Sequence, residues 1–270
     1  MPELPEVETT RRGIEPYLQN RRISRIQVHN ANLRWPVTPE LQQLCGKTIN
    51  SIRRRGKYLL LETDAGSALI HLGMSGSLRI CDSDSPRRKH DHLEFFLADR
   101  HILRFHDPRR FGCVLWESGD ITQHPLLARL GPEPLGEAFT PAYLASAAKG
   151  RKIAIKNLIM DGHVVVGVGN IYASEALFLA GIRPGRAAAG ITRAETARLV
   201  DCIRSVLSAA IEQGGTTLRD FVNSEGNPGY FAQSLHVYGR NGENCRACGT
   251  PVKMKTIGQR ASYYCPNCQR

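Results

Sequence analysis

The chain has 270 residues, 41% of them hydrophobic, and its 36 Lys and Arg outnumber 25 Asp and Glu to give a formal charge of +11. A surplus of that size points to a polyanion partner, nucleic acid first and an anionic membrane surface second. No run reaches the ~20 apolar residues of a membrane-spanning helix, and the acidic, then basic start lacks the apolar segment of an export signal, so a cytoplasmic protein is expected.

The first predicted element is a helix over residues 5–18. Pro5 suits its first position, where a missing N–H costs nothing. Glu6 and Glu8 complement the positive end of the helix dipole. Val7, Ile14 and Leu18 share one face, and Pro16 is expected to end or kink the helix. From Ile23 to Trp116 the texture is β. RISRIQVHN, KTINSIRRRGKYLLLET, SALIHLGMSGSLRI, HDHLEFFLAD, HILRFHD and GCVLWES alternate apolar and polar residues between Gly, Asn, Asp and Pro. Six or more short strands at this spacing predict an antiparallel sandwich or barrel.

HPLLARLGPEPLGEAFTPAYL reads as a connector followed by a short helix. Helices are then predicted over Ile153 to Met160 and Ile171 to Leu179, the second with Asn170 as N-cap and Gly181 as its stop. ITRAETARLVDCIRSVLSAAIEQGG is the clearest helix. Thr192 and Glu195 form a capping box, Leu199, Ile203, Val206, Ala210 and Ile211 make the apolar stripe, and Gly214-Gly215 ends it. Residues 216–235 are dense in Gly, Asn, Pro and Ser, a long loop that is either mobile or functional.

Of eight cysteines, Cys45, Cys81, Cys113 and Cys202 are scattered and read as small buried hydrophobes. Cys245, Cys248, Cys265 and Cys268 follow C-x2-C-x16-C-x2-C, two knuckles that supply four thiolates to a tetrahedral Zn2+. Four thiolates leave no open coordination position, so such a zinc is structural. The only other reading, two disulfides, does not suit a reducing compartment. Residues 240–270 hold six Lys and Arg against one acid, Glu243, and a stapled basic hairpin suits a phosphate backbone.

Three further stretches carry chemistry. VVVGVGNIYASEALF has Gly167 and Gly169 of a dinucleotide fingerprint, but Tyr172 stands where the third glycine belongs. The same turn, opening a helix at Asn170 with Lys156 on the preceding helix, suits one DNA phosphate. It equally suits a plain packing turn. HLGMSGSL and FHDPRRFG read as tight loops from which Met74, Arg109 and Phe111 emerge. Apolar side chains beside arginines fit a wedge inserted into a base stack, and core packing is the competing reading. Finally, removal of Met1 would leave Pro2 with a free secondary amine, whose pKa near 8 keeps roughly a tenth of it neutral at pH 7. That amine is a nucleophile for a sugar carbon, with Glu3 beside it to move a proton. A proline that merely stiffens the start of a helix is the competing reading.

Together MPELPEVET, KYLLLE, HLGMSGSLRI, HDH, DPRRFG, LGPEPL, VVGVGNIYASEALF, QGGTTLRDF, GYFAQSLHVYGR and CRACG…YYCPNCQR resemble formamidopyrimidine-DNA glycosylase, a bacterial base-excision repair family, over essentially the whole chain. The resemblance implies an α+β protein. Residues 2–130 would form an N-terminal antiparallel β-sandwich with an N-terminal helix, 131–149 a linker with a short helix, 150–235 a helix–two-turn–helix domain with a mobile loop at 216–230, and 236–270 a zinc-ribbon β-hairpin. It implies removal of 8-oxoguanine and formamidopyrimidines from double-stranded DNA through a Schiff base on Pro2, with Glu3 as proton donor, and strand cleavage by β,δ-elimination. By the same resemblance Lys57 and Arg260 contact phosphate and assist elimination. Met74, Arg109 and Phe111 fill the gap left by the flipped base. His71, His90, Arg151, Lys156, Asn170 and Tyr238 contact the DNA backbone, Arg151 standing where the family often has Lys. One structural Zn2+, no organic cofactor and a monomer that works on oxidised or abasic DNA at the bacterial nucleoid complete the expectation. The sister endonuclease VIII type, specific for oxidised pyrimidines, shares the terminal proline and glutamate. Leu4 and the complete GMSG and DPRRFG loops resemble the purine branch. A non-catalytic zinc-ribbon DNA-binding protein is the third alternative.

Overall fold

A computed structural model of the chain describes residues 1–215 and 235–270. The described residues form two compact units, one built on Met1–Arg129 and the other on Leu130–Glu212 with the C-terminal residues from 235.

The first unit opens with helix α1, Leu4–Leu18, which buries Leu4, Val7, Ile14 and Leu18 on one face. Glu3 is its N-cap, and the Glu3 N–H donates to Glu6 Oε2 at 2.7 Å, which anchors the second and third residues of the chain to the helix start. Pro16 lies inside α1 without ending it, because only three helical positions begin there and little of the hydrogen-bond ladder is lost.

Eight antiparallel strands follow: β1 Ile23–Val28, β2 Ser51–Arg55, β3 Tyr58–Thr63, β4 Gly66–His71, β5 Ser77–Asp82, β6 Asp91–Leu97, β7 His101–His106 and β8 Cys113–Glu117. They make two four-stranded sheets, ordered β1-β6-β7-β5 and β2-β3-β4-β8. A single apolar cluster joins them, with Ile26, Leu78, Phe95 and Phe105 from one sheet and Ile52, Leu61, Ile70 and Val114 from the other. This is the expected sandwich, and the alternation of the strands is what supplies each sheet with one apolar face. The run KTINSIRRRGKYLLLET is two strands rather than one. Arg55 pairs with Tyr58 across a two-residue turn, Gly56-Lys57, in which Gly56 takes φ +57°.

In the second unit, helix α2 spans Pro141–Ala148, α3 Ile155–Met160, α4 Asn170–Leu179 and α5 Arg193–Glu212. Thr192 and Glu195 cap α5 reciprocally: the Thr192 N–H donates to Glu195 Oε2 at 2.9 Å and the Glu195 N–H to Thr192 Oγ1 at 3.2 Å. Leu199, Ile203, Val206, Ala210 and Ile211 are buried as the stripe predicts, and Gly214 and Gly215 leave the helix at positive φ. The Pro-rich connector is held firmly, for the Arg204 guanidinium donates to the carbonyls of Pro134, Gly136 and Phe139. Strands β9, Lys253–Ile257, and β10, Arg260–Tyr264, form the C-terminal hairpin.

Three expectations are corrected. α3 begins at Ile155, because Ala154 is spent in a bridge to Ala187. Gly169, in extended backbone, caps α4, and Asn170 is the first helical residue. Of the four scattered cysteines only Cys113 is buried, its thiol pushed up to about 12 by burial; Cys45, Cys81 and Cys202 are half-buried. The expected loop at 216–230 lies outside the described residues. Among the described residues no helix is long and apolar enough to cross a membrane.

Candidate nucleic-acid interface and metal centre

The first unit brings several of the predicted site residues to one end of its sandwich. Sheet register is the cause. Tyr58 pairs with His71 and His71 with Cys113, so the Lys57 turn, the 72–76 loop after β4 and the 107–112 loop before β8 share that end. The two loops touch backbone to backbone. A Cβ on Gly73, which takes φ +65°, would lie 2.4 Å from the Gly112 nitrogen, so only glycine permits this approach.

Asp107 ties the loops together, a residue that the sequence reading passed over. Fully buried, its carboxylate accepts the Ser75 hydroxyl at 2.7 Å through Oδ1 and the Gly112 N–H at 2.8 Å through Oδ2. The carbonyl of Asp107 lies 2.8 Å from His92 Nε2, and its N–H donates to the carbonyl of His90 at 3.0 Å. On this frame Phe111 stands 45% exposed, with the Arg109 guanidinium 4.9 Å from its ring centre. Met74 is half-buried. Phe111 is therefore not packed into the core, the competing reading for that residue.

His71 is mostly enclosed. Its Nδ1 accepts the Gly73 N–H at 2.9 Å, so the neutral ring carries its proton on Nε2. Burial, with the charges of Lys57 and Arg34 beside it, pushes the imidazole down to about 4. His71 therefore offers a neutral N–H donor. Arg34, which donates its backbone N–H to Gly112 O at 3.1 Å, is a further cation that the sequence reading missed. His90 precedes β6 and sits edge-on to His106, ring centres 5.9 Å apart.

The N-terminal half of α1 is linked to the same end through Glu8. Arg54 Nε donates to Glu8 Oε2 at 3.1 Å, and its Nη1 to the carbonyl of Gly56, next to Lys57. Pro2 and Glu3 are both buried. While Met1 is attached, the Pro2 nitrogen is a tertiary amide and no nucleophile. Its chemistry requires a free terminus.

The second unit carries the remaining residues. Lys156 is completely buried, and its ammonium donates to the carbonyl of Ala261 at 3.1 Å and to Ser262 Oγ at 2.7 Å. The direct phosphate contact expected of it is not the arrangement found here; the charge is turned onto β10. Asn170 Nδ2 likewise donates to the Ala261 carbonyl at 3.1 Å and lies 3.5 Å from the Tyr238 hydroxyl. Tyr238 packs edge-on to Tyr263, ring centres 5.1 Å apart. Glu175 on α4, also missed from sequence, accepts three successive N–H groups from His236, Val237 and Tyr238 at 2.7, 3.0 and 2.8 Å. A buried carboxylate in a helix gives no sequence signal, because its partners are backbone groups some 60 residues away. Arg151 is exposed after α2. Arg260 is exposed beside the Gly258-Gln259 turn, whose residues both take positive φ, +55° and +62°.

The four clustered cysteines converge, with all ligand atoms within 4.8 Å of one another. Cys245 and Cys268 sulfurs are 3.9 Å apart, Cys248 and Cys265 sulfurs 3.5 Å. Tetrahedral zinc with Zn–S bonds of about 2.3 Å needs sulfurs about 3.8 Å apart. Burial and the neighbouring sulfurs push the Cys265 and Cys268 thiols up, while hydrogen bonds with Thr250 and Asn267 pull the exposed Cys248 thiol down to about 5. The donor set fits one structural Zn2+.

Comparison with known proteins agrees with this geometry. Residues 1–114 match the formamidopyrimidine-DNA glycosylase N-terminal domain, 130–222 the formamidopyrimidine-DNA glycosylase H2TH domain, and 242–270 a zinc finger found in FPG and IleRS. Formamidopyrimidine-DNA glycosylases of Thioalkalivibrio sulfidiphilus and Methylococcus capsulatus are 61% and 58% identical, each over 100% of both chains. The MutM (Fpg) protein of Thermus thermophilus superposes with a TM-score of 0.89 at 39% identity, covering 99% of this chain and 98% of that one. A Lactococcus lactis Fpg mutant in complex with a Fapy-dG containing DNA gives 0.93 at 34% identity, with 100% of both chains covered. A β-sandwich, a helical unit and a four-cysteine hairpin, matched end to end at such identity, make this chain a member of the formamidopyrimidine-DNA glycosylase family.

Proposed function

We propose that this protein is a DNA glycosylase with abasic-site lyase activity, which removes oxidised purines from double-stranded DNA in base excision repair. The observation that carries the reading is the Pro2-Glu3 pair, locked to the first turn of α1 and linked through Glu8 and Arg54 to the Lys57 turn. A helix that steadies a terminus has little reason to be wired to a phosphate-reading turn unless that terminus reacts.

Once Met1 is removed, the Pro2 amine attacks C1′ of the damaged nucleotide, and the C1′–N bond to the base breaks as the base takes a proton. Glu3 protonates the ring oxygen and opens the sugar, leaving an iminium between Pro2 and C1′. The cationic nitrogen acidifies C2′, so loss of that proton expels the 3′ phosphate, and a second elimination expels the 5′ phosphate. Lys57 and Arg260 stabilise the departing phosphates. Extruding a base costs a few kcal/mol of lost stacking. Met74, Arg109 and Phe111 offset it by filling the gap, while His71, His90, Arg151, Lys156, Asn170 and Tyr238 serve backbone binding, Lys156 and Asn170 by positioning β10. Zinc holds the hairpin that presents Arg260. With a nucleic-acid substrate the protein works in the cytoplasm at the nucleoid, as a monomer.

A Lactococcus lactis Fpg has also been crystallised with an oxidized pyrimidine containing DNA, so the test includes both substrates. Borohydride should trap a covalent adduct on an 8-oxoguanine duplex, preferred over a thymine-glycol duplex present in the same reaction. A tag fused ahead of Pro2 should abolish trapping and spare binding. Binding without scission, indifferent to the tag, would assign a non-catalytic DNA-binding protein instead. A preference for thymine glycol would assign the pyrimidine branch.

A further inference from the structure

Beside the wedge loops lies a cavity of about 260 Å³ whose wall includes Ser75, Arg79, Arg88, His106 and Arg109 and no carboxylate. Three guanidiniums around one concavity repel one another, so their charge calls for compensation. Two carboxylates stand behind the wall, and both are already engaged. Asp107 is held by Ser75 and Gly112. Asp91, fully buried, accepts Arg79 Nη2 at 2.7 Å and the Arg88 N–H at 2.8 Å, and lies 2.7 Å from His106 Nδ1.

Arg79 is only 8% exposed, yet its Nε–H has no partner. A buried charged donor left unpaired is costly, and natural proteins rarely leave one without a reason. The Asp91 contact also fixes the His106 ring through Nδ1, which leaves Nε2 as the nitrogen for a ligand. Arg88 is exposed at the rim, and Arg109 belongs to the wedge loop. Donors that stand in a shell with no acceptor inside it match one chemistry, a tetrahedral oxyanion.

We propose that this cavity is a phosphate site, in which Arg79 Nε, His106 Nε2 and the Arg88 guanidinium hold one phosphate group. Its two sources are a DNA backbone phosphate, which rests on the glycosylase reading above, and free inorganic phosphate. The first would add a fixed strand contact next to the wedge, set by residues of the β5, β6 and β7 sheet rather than by the loops alone.

The test uses full-length zinc-loaded protein and the variants Arg88→Ala and His106→Gln, whose side chains are not buried; thermal midpoints confirm their folding. Affinity for a duplex with an uncleavable abasic analogue is measured between about 50 and about 200 mM salt, where each lost phosphate contact lowers the slope of log K against log salt by about 0.9. Inorganic phosphate is titrated calorimetrically into DNA-free protein. A slope lowered by about 0.9 in Arg88→Ala, with weaker binding in His106→Gln, assigns a backbone phosphate. Unchanged slopes, with saturable phosphate binding that the variants lose, assign free phosphate. Unchanged slopes with no saturable phosphate binding overturn the site. Borohydride trapping by the wild type separates the two readings: an adduct with unchanged slopes and no phosphate binding rejects the cavity and leaves the glycosylase standing.

Discussion

Asp107 accepts the Ser75 hydroxyl at 2.7 Å from a position with no solvent exposure. The two residues belong to different loops, one leaving β4 and one entering β8, and a second bond from the Gly112 N–H to Asp107 closes the frame. The loops that carry Met74 and Arg109–Phe111 are therefore tied to each other through Asp107. The proposed wedge would have to hold its shape against a base stack, and the buried carboxylate ties its loops with charge-assisted bonds, roughly twice as strong as neutral ones.

Asp107→Asn keeps the shape but turns one acceptor into an N–H2 group facing a donor. The expected loss is about 2 kcal/mol of stability, with weaker binding to a duplex carrying an abasic analogue and no change in zinc content. Urea unfolding and fluorescence anisotropy measure the two. An unchanged affinity would show that the loops hold their wedge without this tie.

His71 gives a pH signature. Its folded pKa, about 4, lies below the ordinary value of 6.5, so between these values the unfolded chain binds a proton that the folded one refuses. Its contribution is complete above pH 6.5 and is lost as pH falls toward 4, up to about 3 kcal/mol. His71→Gln should flatten that part of the stability profile, read as the urea midpoint at pH 7 and at pH 5. A profile as steep as that of the wild type would place the titration elsewhere.

Lys156 separates two roles. If it positions β10, Lys156→Ala leaves the Ala261 carbonyl and Ser262 hydroxyl short of a donor and costs about 3 kcal/mol. Lys156→Met refills the volume without a charge to bury and costs less. Hydrogen exchange at the Ala261 and Ser262 amides should quicken in both. Equal loss of salt slope in the two variants, with stability intact, would instead favour direct phosphate contact.

Zinc removal should unfold the C-terminal hairpin outright. Its apolar cluster is five residues, Phe178, Val237, Cys245, Val252 and Cys265, too few for a segment of this size to fold without a staple. Chelation, or Cys265→Ser, is expected to abolish DNA binding while circular dichroism retains the antiparallel signal of the first unit. Binding that survives chelation would remove the hairpin from the interface.

The sequence by itself determined the elements and the chemistry with local signatures. The capping box Thr192–Glu195, the apolar stripe of α5, the strand alternation and the C-x2-C pairs each depend on neighbours a few residues apart, so their spacing is written in the chain. The exposure of Phe111 was legible because the tight Asp-Pro-Arg-Arg-Phe-Gly loop leaves its ring few ways to be buried, whereas Met74 in Gly-Met-Ser-Gly is half-buried. Tertiary structure decided what depends on distant partners. It turned Lys156 inward onto Ser262, 106 residues away, made Gly169 rather than Asn170 the cap of α4, and gave Asp107 and Glu175 their roles. Buried carboxylates that bind backbone N–H groups follow no periodicity, and whether a lysine meets solvent or a neighbouring hairpin is settled only when that hairpin packs.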